Sequence, residues 1–143
     1  MKLSTQKQLI AYAVKHHACL AARDYIARFP AHTPAKEIWL KCRHHEWLLW
    51  LGARWNPEVA LGYARKTIKR IVVELDKQGF TEEQRHYLTV AERDCVTAGN
   101  YLECGDKPLF YMSLHWAYYE AHRAAANYNV ESEIRLQELH KMW

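Results

Sequence analysis

Glycine and proline are scarce in this chain of 143 residues, at five and four respectively. Most of them sit between periodic segments, and such a composition argues against disorder. No segment sustains a polar/apolar alternation over β-branched residues, so no sheet is expected. Long apolar runs are missing too. The longest run of large apolar residues, Trp47-Leu48-Leu49-Trp50-Leu51, falls far short of the about 20 residues that a membrane-spanning helix needs. After Met1-Lys2-Leu3 comes a polar Ser-Thr-Gln-Lys-Gln stretch where a secretory signal would carry its apolar region. Cysteine is confined to four scattered positions, 19, 42, 95 and 104. Without a secretory signal these are expected to be reduced packing thiols in a cytoplasmic protein.

Chemical signatures are missing as well. The sequence has no G-x-S-x-G elbow, no Gly-rich phosphate loop and no H-E-x-x-H pair, since His45-Glu46 lacks its second histidine. Paired acids do not fall on a core-facing stripe. A non-enzymatic protein without a cofactor is therefore expected. The net charge of +4 is mild; it permits an acidic or nucleic-acid partner without arguing for one.

What the chain does have is an ordinary soluble composition, half hydrophobic and a quarter charged, with six tryptophans and nine histidines as the unusual counts. Its length suits one domain over residues 1–143. The organising stretch is residues 39–55, WLKCRHHEWLLWLGARW, which holds four of the six tryptophans. One continuous helix there would set Arg43 among Trp39, Trp47 and Trp50, so a polar break at residues 43–46 is expected. The first of the two resulting helices ends near Cys42. The second, carrying Trp47 to Trp55, is apolar on nearly every side and reads as a buried central helix. Arg54 projects between Trp47 and Trp50, where its guanidinium could stack on an indole or pair with a buried carboxylate.

Around it the punctuation is regular. Thr5 and Gln8 form a capping-box pattern at the start of a helix that is expected to run to Phe29 and stop at Pro30, with His17 and Asp24 as boundary residues bonded to neighbouring helices. Thr33-Pro34 and Asn56-Pro57 each read as an N-cap followed by an N1 proline. The helix after Asn56 ends at Gly79, and Ala60, Leu61, Ala64, Ile68, Ile71, Val72 and Leu75 fall within about 120° on its wheel. Thr81 and Gln84 cap the next helix, whose core stripe is Tyr87, Leu88, Ala91, Cys95 and Ala98 and whose end is expected at Gly99. Asp106 caps a helix over residues 108–127. Asn129 caps a last one, with Glu131 and Glu133 in its first turn and His140 and Lys141 in its last, which suits the helix dipole.

Three groups of residues are candidates for function. Tyr111, His115, Tyr118 and His122 fall within about 60° on their helix, a ladder able to hold a partner or simply to form the amphipathic rim of a packed helix. Met112, Trp116 and Tyr119 make the more apolar strip beside it, with Arg123 among them. Arg65, Lys66, Lys69, Arg70 and Lys77 make a basic face on the helix after Asn56, which could meet phosphates or simply be solvated. Cys42, His44 and His45, with Cys95 or Cys104 as distant partners, are the best zinc pattern available. They lack a second close pair of ligands, so no metal site is expected.

The pattern W-x2-C-x4-W-L-L-W-L, from Trp39 and Cys42 through Trp47 to Leu51, resembles one in small helical proteins of bacteriophages and bacterial mobile elements, where alanine-rich helices follow it. Here Ala91 and the residues 121–126 supply such matches. It is more distantly similar to immunity-type helical proteins of bacteria. The resemblance implies an intracellular helical fold and assigns no catalytic residue. The expectation is an all-α, single-domain, irregular bundle of six or seven helices around the Trp-rich helix. Its expected function is an accessory role through protein–protein binding, by inhibition of a host factor or defence system in one form. A nucleic-acid-binding role through the basic face and the Tyr/His ladder is the alternative, and a homodimer is compatible with either.

Overall fold

The structure, a computed structural model, describes residues 3–125 and 140–141. The protein is all-α. Among the described residues there are seven helices: α1 (Gln6–Lys15), α2 (Leu20–Ala27), α3 (Ala35–Lys41), α4 (His45–Trp55), α5 (Pro57–Gln78), α6 (Glu82–Cys104) and α7 (Lys107–Ala124). No strand occurs among them, and the β-type pairing there is an isolated antiparallel bridge between Thr5 and Pro34. The expected last helix, from Asn129 through Glu131 and Glu133, lies outside the described residues. None of the described helices is long and apolar enough to cross a membrane.

Several boundaries follow directly from capping chemistry. Asn56 accepts the Val59 N–H at 3.4 Å with Pro57 in the first turn, Asp106 accepts from Leu109 at 3.2 Å, and Thr81 and Gln84 cap each other reciprocally at 3.1 and 3.0 Å. Gly79 closes α5 with φ 84°. The polar elbow expected at residues 43–46 is present but lies at 42–44: Cys42 is the C-cap of α3, and His45 and Glu46 already belong to α4.

Other boundaries differ from expectation. The helix expected over residues 5–29 is two helices. α1 ends in a reversal in which the Ala18 N–H donates to Ala13 O at 2.8 Å and the His17 N–H to Val14 O at 3.1 Å. That is the Schellman pattern, and it requires a left-handed residue, here His17 at φ 58°. A histidine in that conformation carries no sequence signal of the kind glycine would give. His17 and Asp24 are exposed rather than boundary residues. At the other end of α1, Thr5 makes no side-chain cap; the Ser4 N–H reaches Gln8 Oε1 at 2.7 Å instead. Backbone bonds from Gln6 N–H to Thr33 O (2.7 Å) and from Ala35 N–H to Ser4 O (3.0 Å) hold this end against the start of α3. Pro34 is consequently the N-cap of α3 rather than its first helical residue.

Gly99 does not end α6. The helix continues to Cys104, and left-handed Gly105 (φ 77°) is its cap. Gly99 is a site of close approach instead: a Cβ there would lie 2.9 Å from Arg65 Nη2 and 3.6 Å from Leu61 Cδ2. α7 stops at Ala124, short of the expected Asn127.

The helices pack in two compact units, one within Met1–Leu48 and one within Leu49–Met142. In the first, α1 packs on α2 and α3. Its interior is Leu9, Ala13, Ala22, Ile26, Ala35, Ile38 and Trp39, joined by buried Gln6, whose Nε2 donates to Ile26 O at 3.1 Å. In the second, α5, α6 and α7 pack on one another, and the α6–α7 pairing is the most extensive. Ala91 and Ala98 of α6 and Ala117 and Ala121 of α7 are completely buried, and such small side chains let helix axes come close together. Phe110, Ile71, Leu75 and Leu114 fill the remaining interior. The stripe expected on α5 is buried, save that Val72 is half-buried.

The tryptophans of α4 are not its core. Leu48, Leu49, Leu51 and Ala53 are buried, whereas Trp47, Trp50 and Trp55 are half-buried. Size alone does not keep an indole out, since Trp39 of α3 is buried; on α4 the leucines take the interior and the indoles its margin. The left-handed His17 generates a direct test. His17→Gly removes a side-chain clash that costs about 1–2 kcal/mol in the left-handed region, offset in part by the entropy of glycine. Thermal denaturation is expected to show a gain of about 0.5–1 kcal/mol, and a loss would mean that the His17 ring holds the turn.

Candidate functional site

The expected Tyr/His ladder of α7 divides. Tyr118 is buried, Tyr111 and His122 are half-buried and His115 is exposed. Three of the four face the neighbouring helices of this unit. The Tyr118 ring lies 6.2 Å from that of Tyr63 on α5 and 4.3 Å from that of His122, while Tyr111 covers the Arg54 guanidinium at 4.2 Å. Arg54 is thereby stacked between two rings, with Trp50 at 4.0 Å on its other side and its Nη1 donating to Trp50 O at 2.9 Å. The stacking expected for Arg54 on an indole is present, and Tyr111 doubles it.

The outward face of α7 is the neighbouring strip. Met112 (51% exposed), Trp116 (48%) and Tyr119 (42%) lie along it with His115 and Arg123, all exposed. Their rings are already arranged against one another. Trp116 meets Tyr119 edge-on at 5.7 Å, and the His115 ring lies parallel to that of Tyr119, 6.5 Å between centroids. At the C-terminal end Arg123 crosses to α6. Its guanidinium covers the Tyr87 ring at 4.2 Å and donates to the Tyr87 hydroxyl at 2.7 Å, and that hydroxyl donates to Glu83 Oε1 at 2.8 Å. The bond to Glu83 raises the Tyr87 phenol above its ordinary pKa, so at neutral pH it remains a donor. Large aromatics held in place at the surface have little side-chain freedom left to lose, which suits them to anchor a partner.

The sequence contains the signal for this strip. Ser113, Ala117, Ala121 and Ala124 mark the face of α7 that packs closely, and Met112, Trp116, Tyr119 and Arg123 are centred about 125° away from it on the wheel.

Lys66, Lys69 and Arg70 of the basic face on α5 are exposed, with Val73 (53%) in their midst. Arg65 and Lys77 are exposed as well, and each also meets a neighbour on the protein. Lys77 bridges to Glu74 at 3.1 Å, and the Arg65 guanidinium lies over Gly99 beside the Cys95 thiol. All five cations of the group are exposed along α5.

The zinc pattern at the elbow is drawn into an aromatic cluster. The His44 ring stacks on Trp47 at 3.8 Å, and Tyr25 packs on both Trp47 (5.7 Å) and Phe29 (5.4 Å). Among the described residues no three His, Cys, Asp or Glu side chains converge on a point where a metal ion could sit. All four cysteines are free thiols. Burial pushes the Cys42 thiol above its ordinary pKa against the lowering effect of its contact with the His44 backbone. It does the same for Cys95 against the lowering effect of Arg65.

No protein-family model, curated protein or solved structure matches the chain. The class it belongs to is that of all-α helical proteins, and its functional reading rests on its own residues.

Three expectations follow from burial. A thiol reagent at neutral pH should label exposed Cys19 and Cys104 in the native protein, with Cys42 and Cys95 modified only on unfolding. Because the folded-state pKa of each buried thiol is raised, the unfolded chain ionises first. Stability from these two groups is full below about the ordinary thiol value of 9.0 and declines as pH rises above it, as denaturant titrations across that range would show. Phe110→Ala should cost about 3–5 kcal/mol of stability, whereas Trp116→Ala should change it by no more than about 0.5 kcal/mol. Equal losses in urea titrations would mean that Trp116 is a core residue.

Proposed function

We propose that this protein acts without catalysis, by binding another protein through the outward face of α7, with Trp116 and Tyr119 as anchors. One observation carries the reading: three large apolar side chains, Met112, Trp116 and Tyr119, stand together in solvent on one helix. Isolated exposed apolar residues are normal; contiguous ones on an ordered surface mark interaction sites. Tyr, Trp and Arg are also the residues on which binding energy concentrates. The resemblance of the Trp/Cys pattern to small phage and mobile-element proteins supplies a setting, the bacterial cytoplasm, and a class of partner, a host factor or defence component.

Immobilised protein should capture a partner saturably from bacterial lysate, and Trp116→Ala/Tyr119→Ala should reduce capture by about tenfold or more, as expected for hot-spot residues. Lys69→Glu on α5 should leave it unchanged. Capture that survives the aromatic double variant but fails with Lys69→Glu would transfer the function to the basic face, where a mobility shift at low salt would then be expected.

A further inference from the structure

We propose that the element this face receives is an acidic amphipathic helix of another protein, lying along the seam between α6 and α7; this rests on the protein-binding reading above. The two helices run antiparallel, in a register set by Gln84 Nε2 donating to Ala124 O at 3.3 Å and by the Arg123–Tyr87 bond. On one side of the pair the register places half-buried Tyr87, Val90 and Asp94 of α6 beside Trp116, Glu120 and Arg123 of α7. From Met112 to Arg123 the strip is about three helical turns, roughly 17 Å, long. Two antiparallel helices with exposed apolar residues along their seam offer a shallow groove that a third helix fills with its own apolar ridge.

The charge arrangement selects the partner. Two ion pairs border the seam, Arg93–Asp94 at 3.2 Å and Arg123–Glu120 at 3.7 Å. In both, the guanidinium stands out and the carboxylate is recessed: Arg93 is 70% exposed against 20% for Asp94, and Arg123 45% against 12% for Glu120. The pairs Lys77–Glu74 and Lys41–Glu37 are not built this way; there the acids remain 36% and 45% exposed. An approaching chain therefore meets guanidinium N–H groups: Arg93 spends two of its five donors on Asp94, and Arg123 gives one to the Tyr87 hydroxyl besides its pair with Glu120, so each retains donors for a further carboxylate. Glu83 is an exposed acid at the Tyr87 end of the seam, so the stronger acidic contact is expected opposite Arg93, ten residues along α6. A second copy of this chain would bring outward guanidinia against outward guanidinia, which argues against self-association here.

The test uses two synthetic helical peptides of the length of α7, 18 residues, with one shared leucine and tryptophan face and flanks of either glutamate or lysine. Fluorescence anisotropy at low salt should show the glutamate peptide binding about tenfold more tightly, with the difference shrinking as salt is added. Arg93→Glu and, separately, Arg123→Glu should remove most of that preference; Arg93 is the safer variant because its side chain is largely in solvent. Lys69→Glu should leave it intact, and Trp116→Ala should weaken both peptides together. Equal binding of the two peptides, no binding of either, or a preference indifferent to both arginine variants would overturn the acidic-helix proposal. So would displacement of the glutamate peptide by a single-stranded oligonucleotide at lower concentration than by unlabelled peptide. These results leave the wider reading standing if partner capture still depends on Trp116 and Tyr119; that reading fails separately if capture ignores them.

Discussion

The close approach of α6 and α7 is the constraint on which the second unit depends. Ala91, Ala98, Ala117 and Ala121 are completely buried there. A helix face made of methyl groups leaves no room for rings, so the large aromatics of α7 have two places left. Tyr111, Tyr118 and His122 turn to the flank where Arg54 and Tyr63 lie, and His115, Trp116 and Tyr119 turn to solvent. The interior geometry thus generates the exposed strip. Gly99 works in the same way on the other flank of α6, where it leaves space for Leu61 and Arg65 of α5.

Much of the helix framework was legible because capping is local chemistry. Asn56-Pro57, the Thr81/Gln84 box, Gly79 and Asp106 each satisfy backbone groups within a few residues, so the sequence that contains them contains the boundary. The elbow before His45 was legible for another reason: a continuous helix would have placed Arg43 on an apolar face. Where the reading failed, the deciding partner was distant or the signal was ambiguous. Nothing in the identity of His17 announces a left-handed residue, and Gly99 is a stop by local rules but a contact by tertiary ones. Thr5 loses its capping role because backbone bonds to residues 31–35 fix that end of α1.

The candidate site was half legible. Periodicity identified the Tyr/His ladder and the strip beside it, and it grouped the basic residues of α5. The small residues of α7 mark its closely packed face, but periodicity did not rank the ladder against the strip beside it, because tyrosine and histidine are acceptable in either place. Nor could it reveal that Arg65 reaches across to α6, or that Arg93 and Arg123 stand outside their carboxylates. Those facts depend on which helices are neighbours.

By itself the sequence determined an all-α protein, the positions of most helix ends and the elbow within residues 39–55. These follow from hydrogen-bond satisfaction and from apolar periodicity, both readable within one or two turns. Only the tertiary structure decided that the tryptophans of α4 sit at its margin, that Arg54 is held between Trp50 and Tyr111, and that Trp116 and Tyr119 remain in solvent. Burial belongs to a side chain and its neighbours together, and the neighbours of α7 are set by helices that precede it by tens of residues.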